Sequence, residues 1–170
     1  MVRVDIQKHV ATAEAAGRVG RARKIANVDA RPALVGEVIE TRLKDEGRET
    51  TSPAAKDGDM VVRNLTEKTG FEEYLVLREI FVERYDGPLG PGDKDPWRRY
   101  RPRKGEMLFF IVTGDEAPLE FKAPWGGELI AQAGDAIVQN PSHPEDTYRV
   151  AADAFASTYE VVKPAGSTVR

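Results

Sequence analysis

The stretch GDMVVRNLTEKTGFEEYLVLREIFVERY (58–85) decides the expected fold, because GDAIVQNPSHPEDTYRVAADAFASTYEVV (134–162) repeats its pattern. Both stretches begin with Gly-Asp, continue with a pair of β-branched residues and an asparagine, and contain Tyr-x-Val followed by Phe-x-x-x-Tyr. The matching aromatic residues are Tyr74 and Tyr148, Phe81 and Phe155, and Tyr85 and Tyr159. Self-similarity of this kind is typical of repeated structural units. We therefore expect two copies of one unit in the chain.

Each part of the repeated pattern has a physical reason. Gly-Asp favours a tight turn, because glycine tolerates positive φ and aspartate accepts hydrogen bonds from backbone amides. The β-branched pair favours a strand, and a phenylalanine and a tyrosine four residues apart lie on one face of a helical turn. A single copy is too small to bury enough apolar surface. The predicted fold is therefore α+β and mainly antiparallel, with two pseudo-symmetric hairpin-plus-helical-turn units sharing one core. A closed or partly open barrel would satisfy the edge strands.

The repeated pattern resembles the short PGDYL-like modules of bacterial and phage-derived proteins. Those modules show a Gly-Asp turn, an apolar strand, Tyr-x-(Ile/Val) and Phe-x-x-x-Tyr, as both stretches do here. The family often has proline before Gly-Asp, whereas this chain has Asp57 and Ala133 at that position. The resemblance covers about 28 residues in each half. It implies a fold element and no reaction, because such modules have no established catalytic residues.

Glycine and proline concentrate in residues 86–96, which predicts a boundary there. Alternating apolar and polar residues predict a strand at 33–43, and the thin apolar face of the N-terminal segment predicts a helical arm. We expect five segments along the chain. They are a basic helical arm at 1–30, a β-rich unit at 31–86, a Gly/Pro-rich and then Arg-rich connector at 87–104, a second β-rich unit at 105–163 and a frayed tail at 164–170.

The composition predicts a soluble, folded protein, with 41% hydrophobic and 31% charged residues among 170. The chain has no cysteine, which excludes disulfides, thiolate metal sites and thiol nucleophiles. It contains no apolar run of the roughly 18 residues that a membrane helix needs, and no apolar core of a secretory signal. We therefore expect a cytoplasmic location and no membrane partner.

Charge is distributed unevenly along the chain. Residues 1–31 carry a net charge of +4, whereas residues 115–162 carry −7. The basic segment would either bind an anionic partner such as nucleic acid or pack on acidic residues of its own fold or of a neighbouring subunit. We prefer the second interpretation, which is compatible with a homo-oligomer.

Two stretches that combine aromatic residues with cations or glycines are the candidate binding sites. KDPWRRYRPRKG (94–105) interleaves arginines with Trp97 and Tyr100, which suits a phosphate or single-stranded nucleic acid. KAPWGGE (122–128) places Trp125 beside two glycines, which suits a planar ligand. We prefer a structural role for either stretch, as an anchored linker or a hairpin turn. The candidate ligand-binding residues are Trp97, Arg99, Arg101, Trp125 and Arg149.

The weaker candidates for catalysis are His143 and Asp135, which would transfer a proton. His143 lies in NPSHPED, which faintly resembles the second motif of cupin metal barrels. The chain has only one other histidine, His9, which is too few for a cupin metal shell. We therefore expect no metal ion and no cofactor. The sequence also lacks a phosphate loop, a nucleophile elbow and a dinucleotide fingerprint.

The leading functional hypothesis is a non-catalytic ligand-binding or assembly module that binds a small anionic or aromatic ligand at the seam between the two units. One alternative is a small metal-independent enzyme acting on an anionic or heterocyclic metabolite. In that enzyme Arg98, Arg99, Arg101 or Arg149 would hold the anion. The other alternative is a nucleic-acid-binding accessory protein.

Overall fold

The computed structural model describes residues 2–43, 48–65, 71–90, 95–103, 105–123 and 127–165. The chain forms two compact units. Unit 1 contains Met1–Lys24 and Gly105–Arg170, and unit 2 contains Ile25–Lys104. Unit 2 is therefore one continuous segment inserted between the two parts of unit 1.

The described residues form an α+β fold dominated by antiparallel strands, which confirms the predicted fold class. The helices are α1 (Ile6–Ala15), α2 (Arg78–Arg84) and α3 (Ala152–Thr158). The strands of unit 1 are β1 (Val2–Arg3), β2 (Gly20–Lys24), β10 (Met107–Ile111), β11 (Leu119–Lys122), β12 (Glu128–Ala131), β13 (Ala136–Asn140), β14 (His143–Val150) and β15 (Tyr159–Lys163). The strands of unit 2 are β3 (Val28–Pro32), β4 (Glu40–Leu43), β5 (Arg48–Thr51), β6 (Met60–Asn64), β7 (Glu73–Val76), β8 (Tyr85–Leu89) and β9 (Arg98–Pro102).

Unit 1 is built around an antiparallel sheet in the order β14-β13-β10-β2-β15. A second sheet has the order β1-β11-β12, in which β1 is parallel to β11. Adjacent residues of β10 face opposite sides of the large sheet, because side chains alternate along a strand. Phe110 packs in one cluster with α1 and the small sheet, and Phe109 packs in another with Phe155 and Tyr159.

Unit 2 is built around a sheet in the order β7-β6-β3-β9-β8, with the separate antiparallel pair β4-β5. Val62 of β6 belongs to a buried cluster with Phe81 and Tyr85, on the side of the sheet that α2 covers. Val61, the adjacent residue, belongs to a cluster on the other side, against which Trp97 packs. Each five-stranded sheet is therefore covered by apolar residues on both faces.

The structure divides the chain at different places from those predicted. Residues 1–30 are not a separate arm, because β2 lies between β10 and β15 in the sheet of unit 1. Residues 87–104 are not a connector, because β9 lies between β3 and β8 in unit 2. Both strands are rich in arginine, and only alternate side chains of each point towards the apolar core. The charges therefore conceal the strand pattern in the sequence.

Two finer features of the predicted fold are also absent from the described residues. The buried apolar clusters fall within single units rather than forming one shared core. Neither five-stranded sheet closes on itself there, so no barrel is seen. Each unit buries apolar residues on both faces of its large sheet, which gives each a core of its own.

A Gly-Asp turn precedes the central hairpin of unit 2. Gly58 has a φ of +92°, which glycine adopts without the strain that a side chain would cause. The buried Asp59 follows, and its Oδ2 accepts a 2.9 Å hydrogen bond from the backbone N–H of Lys56. Its Oδ1 accepts a 3.0 Å hydrogen bond from the N–H of Arg78, at the start of α2. The aspartate therefore joins the turn before β6 to the first residue of the helix.

The same arrangement occurs in unit 1. Gly134 has a φ of +93°, and the carboxylate of Asp135 accepts hydrogen bonds from the N–H groups of Gln132 at 2.8 Å and Ala152 at 3.3 Å. The N-cap residues of α2 and α3 are Leu77 and Ala151, whose side chains cannot cap a helix. An aspartate distant in sequence therefore satisfies a backbone donor at the start of each helix.

We expect the two aspartates to differ in their contribution to stability. Asp59→Ala removes two hydrogen bonds to backbone amides and should cost about 1–2 kcal/mol of unfolding free energy. Asp135→Ala should cost more, because it also removes the 2.6 Å ion pair between Asp135 Oδ2 and Arg149 Nε, whose side chain is only 4% exposed. Urea unfolding followed by circular dichroism measures both losses.

Arg149→Leu is the matched control. In unit 2, Leu75 lies opposite Val61 as Arg149 lies opposite Ile137 in unit 1. Adding Arg149→Leu to Asp135→Ala should therefore recover most of the stability that Asp135→Ala loses beyond the loss caused by Asp59→Ala. Equal losses for Asp59→Ala and Asp135→Ala would contradict this account.

Candidate functional site

Trp97 lies next to β9 on one face of unit 2, where two guanidinium groups contact its ring. The Cζ atom of Arg63 lies 4.0 Å from the ring centroid, and that of Arg31 lies 5.4 Å from it. The indole also packs against the apolar cluster that contains Val61. Cation–π attraction therefore holds a half-buried aromatic ring between the sheet and two arginines.

A single carboxylate serves two arginines beside this ring. Asp29 Oδ1 accepts a 2.8 Å hydrogen bond from Arg99 Nε, and its Oδ2 accepts a 3.3 Å hydrogen bond from Arg63 Nη2. The Arg99 side chain is 50% exposed, whereas that of Asp29 is 16% exposed. The carboxylate therefore offsets one of two positive charges.

Arg101 lies two residues beyond Arg99 on the same face of β9. It is exposed, and within the described part of the chain it has no hydrogen bond or ion pair. The residue opposite it in the register is Asp86, which instead pairs with Arg103 at 2.6 Å. We call the surface formed by Arg31, Arg63, Trp97, Arg99 and Arg101 the arginine face.

Glu37 fixes the position of Arg31 beside the ring. Arg31 Nη1 and Nη2 donate hydrogen bonds of 3.0 and 2.6 Å to its two carboxylate oxygens. The Leu34 N–H donates a further hydrogen bond of 2.9 Å. The hydrogen bonds from Arg31, the larger effect, and from Leu34 lower the pKa of Glu37 to about 2. The hydrogen bonds to Glu37 in turn raise the pKa of Arg31. The arginine therefore stays charged and held in place.

The structure brings three of the five predicted ligand-binding residues onto one surface, because Trp97, Arg99 and Arg101 all belong to the arginine face. Arg149 lies in unit 1, where it is buried and paired with Asp135, so its guanidinium is not exposed to a ligand. Trp125 lies outside the described residues.

The two predicted catalytic residues do not come together. His143 lies opposite Asn140 at one end of β13, and Asp135 precedes the other end, which places them about 15 Å apart along the strand. His143 Nδ1 lies 3.3 Å from Glu145, and both oxygens of Asp135 accept structural hydrogen bonds. Among the described residues, no group of three or more His, Asp or Glu side chains is placed to hold a metal ion.

The sequence did not reveal a polar cluster centred on Glu116 in unit 1. His9 Nε2 and Glu116 Oε1 are 2.8 Å apart, and Arg18 Nη2 donates a 2.5 Å hydrogen bond to Oε2. The Thr113 N–H donates another at 2.7 Å. Burial alone would raise the pKa of Glu116, but the hydrogen bonds from Arg18, Thr113 and His9 outweigh it and lower this pKa to about 2. No local motif signals this cluster, because its members come from distant parts of the chain.

Other cations of the N-terminal segment also pair with acids of unit 1. Arg3 Nη2 lies 2.6 Å from Glu128, and Arg23 Nε lies 2.8 Å from Glu160. The prediction that the basic segment packs on acidic residues of its own fold is therefore confirmed.

Comparison of the chain with protein-family models, with curated proteins and with solved structures finds no match. The resemblance to PGDYL-like modules therefore stays a prediction. No helix in the described part of the chain is long and apolar enough to cross a membrane.

We expect Glu116→Gln to lower stability in a pH-dependent way. A carboxyl whose pKa falls from 4.5 to about 2 on folding contributes stability that is present above pH 4.5 and is lost as pH falls towards 2. This contribution amounts to about 3 kcal/mol at neutral pH. The variant should therefore be less stable than the natural protein by roughly that amount at pH 7, and the difference should shrink towards pH 2. Urea unfolding at several pH values measures it.

Glu106→Gln is the control for the general effect of removing a carboxylate. Glu106 lies 3.8 Å from Arg21, and both side chains are well exposed, so this variant should change stability little. A Glu116→Gln effect of constant size at all pH values would show that the charge of Glu116 does not stabilise unit 1.

Proposed function

We propose that the protein is a non-catalytic binding module whose ligand-binding surface is the arginine face of unit 2. The observation that carries this proposal is the indole ring of Trp97, held by Arg31 and Arg63 next to the exposed Arg99 and Arg101. The ring and the cations belong to one surface, so they can contact a single ligand.

The chemistry of this surface favours an anion. A guanidinium has five N–H donors, and Arg99 uses its Nε to bond Asp29. Its remaining donors, together with those of Arg101, match the paired oxygens of a carboxylate or phosphate. Residues 97–103 contain four arginines and no acid, while Asp29 and Asp86 lie on the flanking strands. A small anion with a planar group would use the arginines and the exposed part of the indole together.

Unit 1 shows what an arginine pair of this kind looks like when its charges are neutralised. Arg21 and Arg23 of β2 occupy positions that correspond by register to Arg99 and Arg101 of β9. Arg23 pairs with Glu160 at 2.8 Å, whereas the corresponding Asp86 pairs with Arg103. The charge of Arg101 is therefore left without the carboxylate that its counterpart has, which supports a role outside the fold.

The correspondence of β2 with β9 belongs to a wider proposal, namely that the chain contains two copies of one unit. The first copy would run from β2 to β8 and the second from β9 to β15, each contributing its first strand to the sheet of the other. Strand registers support this. Four pairs of opposed residues in unit 2 each match a pair in unit 1. Ala30–Val62 matches Phe109–Val138, and Val62–Tyr74 matches Val138–Tyr148. Tyr85–Pro102 matches Tyr159–Lys24, and Leu89–Arg99 matches Lys163–Arg21.

The aromatic residues of the repeat support the same proposal. The ring centroids of Phe81 and Tyr85 are 5.1 Å apart, and those of Phe155 and Tyr159 are 5.0 Å apart. By register, Phe110 of unit 1 corresponds to Arg31 of unit 2. Phe110 is buried in the cluster with α1, whereas Arg31 contacts Trp97. On this proposal, the same face of the large sheet is an apolar packing surface in unit 1 and a charged surface in unit 2.

Nucleic-acid binding is the second candidate, because the arginine face combines the aromatic ring of Trp97 with several arginines. A single-stranded ligand would stack a base on the indole ring of Trp97 while the arginines contact its phosphates. This candidate differs from the first in the length of ligand that it requires.

Fluorescence of Trp97 tests both candidates. The chain has two tryptophans, so in a Trp125→Phe background the emission comes from Trp97 alone. We expect inorganic phosphate, adenosine monophosphate or a 12-nucleotide oligothymidylate to change this emission saturably. Arg99→Gln combined with Arg101→Gln should weaken binding at least tenfold, about 1.4 kcal/mol.

Arg23→Gln is the matched control. This arginine is already paired with Glu160, so its replacement should leave binding unchanged. Binding of the oligonucleotide alone, with an affinity that falls steeply with salt, would favour the nucleic-acid candidate. No response to any of the three probes, or equal binding by the double variant, would contradict a ligand site on the arginine face.

A further inference from the structure

β15 forms one edge of the large sheet of unit 1. It pairs with β2 on one side, and on its other side no strand of the described residues pairs with it. Its residues after Tyr159 are exposed, including Val161 and Val162 at 47% and 42%. An exposed edge strand with β-branched residues offers unpaired backbone groups to another strand.

The corresponding edge of unit 2 is protected. β8 begins at Tyr85 as β15 begins at Tyr159, so Gly87 and Pro88 stand where β15 has Val161 and Val162. Proline has no N–H to donate, and it is one of the residues by which edge strands avoid pairing. Two edges with the same place in their sheets therefore differ in their ability to accept a further strand.

The charges of β15 indicate which strand it would accept. Glu160 and Lys163 flank the valine pair, in the order Glu-Val-Val-Lys. A single lysine on an edge strand normally opposes pairing. In β15, however, the extra residue Val162 leaves Glu160 and Lys163 on one face of the sheet, opposite Arg23 and Arg21. In an antiparallel pair of two identical strands the order reverses, so Glu160 of each copy lies alongside Lys163 of the other. Opposite charges placed across a strand pair stabilise it.

We propose that β15 pairs antiparallel with β15 of a second copy of this chain, which forms a two-fold symmetric dimer. Such an interface uses the same surface of both copies. It brings together the two valine pairs and joins the two large sheets into one. The self-complementary charge order is the reason to choose a second copy over an unrelated extended peptide.

Val162 is the position at which this pairing can be blocked with least damage to the fold. Val161 lies opposite Ala22 and Lys163 lies opposite Arg21, so Val162 is an extra residue with no direct counterpart in β2. Val162→Pro therefore gives β15 the proline that β8 has at Pro88, at a position that is not paired with β2. Circular dichroism and thermal unfolding verify that the variant is folded.

Sedimentation equilibrium of the full chain over a wide concentration range provides the test. We expect the natural protein to show a monomer–dimer equilibrium and Val162→Pro to remain monomeric throughout. Lys163→Glu, which places like charges across the pair, should weaken the dimer at least tenfold. Val82→Ser removes an exposed apolar side chain of α2 and should leave dimerisation unchanged.

Hydrogen exchange distinguishes the proposed interface from any other. The amides of residues 159–163 should exchange more slowly in the dimer than in the folded Val162→Pro variant. A natural protein that stays monomeric, or a dimer that survives in folded Val162→Pro, would overturn the proposal. A dimer that Val162→Pro abolishes and Lys163→Glu leaves intact would overturn the antiparallel arrangement.

Discussion

In each unit a buried aspartate connects a turn to the start of a helix, and the packing of the aromatic residues depends on this connection. In unit 2 the carboxylate of Asp59 accepts the N–H of Lys56 in the turn and that of Arg78 at the helix start, and Asp135 does the same in unit 1. Without this acceptor, a short helix with no side-chain cap would begin with an unsatisfied backbone donor. The helix start in turn sets where the following phenylalanine and tyrosine meet the sheet. The turn therefore determines how the two aromatic rings are packed.

Because this framework depends mainly on backbone hydrogen bonds to one carboxylate, the sheet faces around it are free to differ. In unit 1 the face that carries Phe110 is covered by α1, and the Glu116 cluster ties the helix region to the sheet. In unit 2 one face of the large sheet carries Arg31, and Trp97 lies against it. The large sheet of unit 1 thus has an apolar interface on one face, whereas that of unit 2 has a charged, partly exposed surface.

The sequence predicted the elements whose pattern is local. The Gly-Asp turns, the apolar pairs and the aromatic spacing correctly indicated β6, β13, α2 and α3. It failed at β2 and β9, whose arginines resemble a solvated segment, and at 33–39, where Gly36 has a φ of +87° and turns the chain instead of extending it. Trp97 and Arg99 were identified from the sequence because they lie close together in it. Asp29 and Arg63 were not, because only the sheet brings them to that strand.

The position of β9 connects the architecture to the arginine face. β9 pairs with both β3 and β8, so its backbone is fixed on two sides, and β8 reaches the sheet only through it. Arg99 and Arg101 consequently project from an internal strand and not from a loop. A binding surface on a fixed strand loses little conformational entropy when a ligand is bound. The insertion of a strand rich in arginine into the sheet therefore does more than complete it, since it fixes the cations on which the proposed anion binding depends.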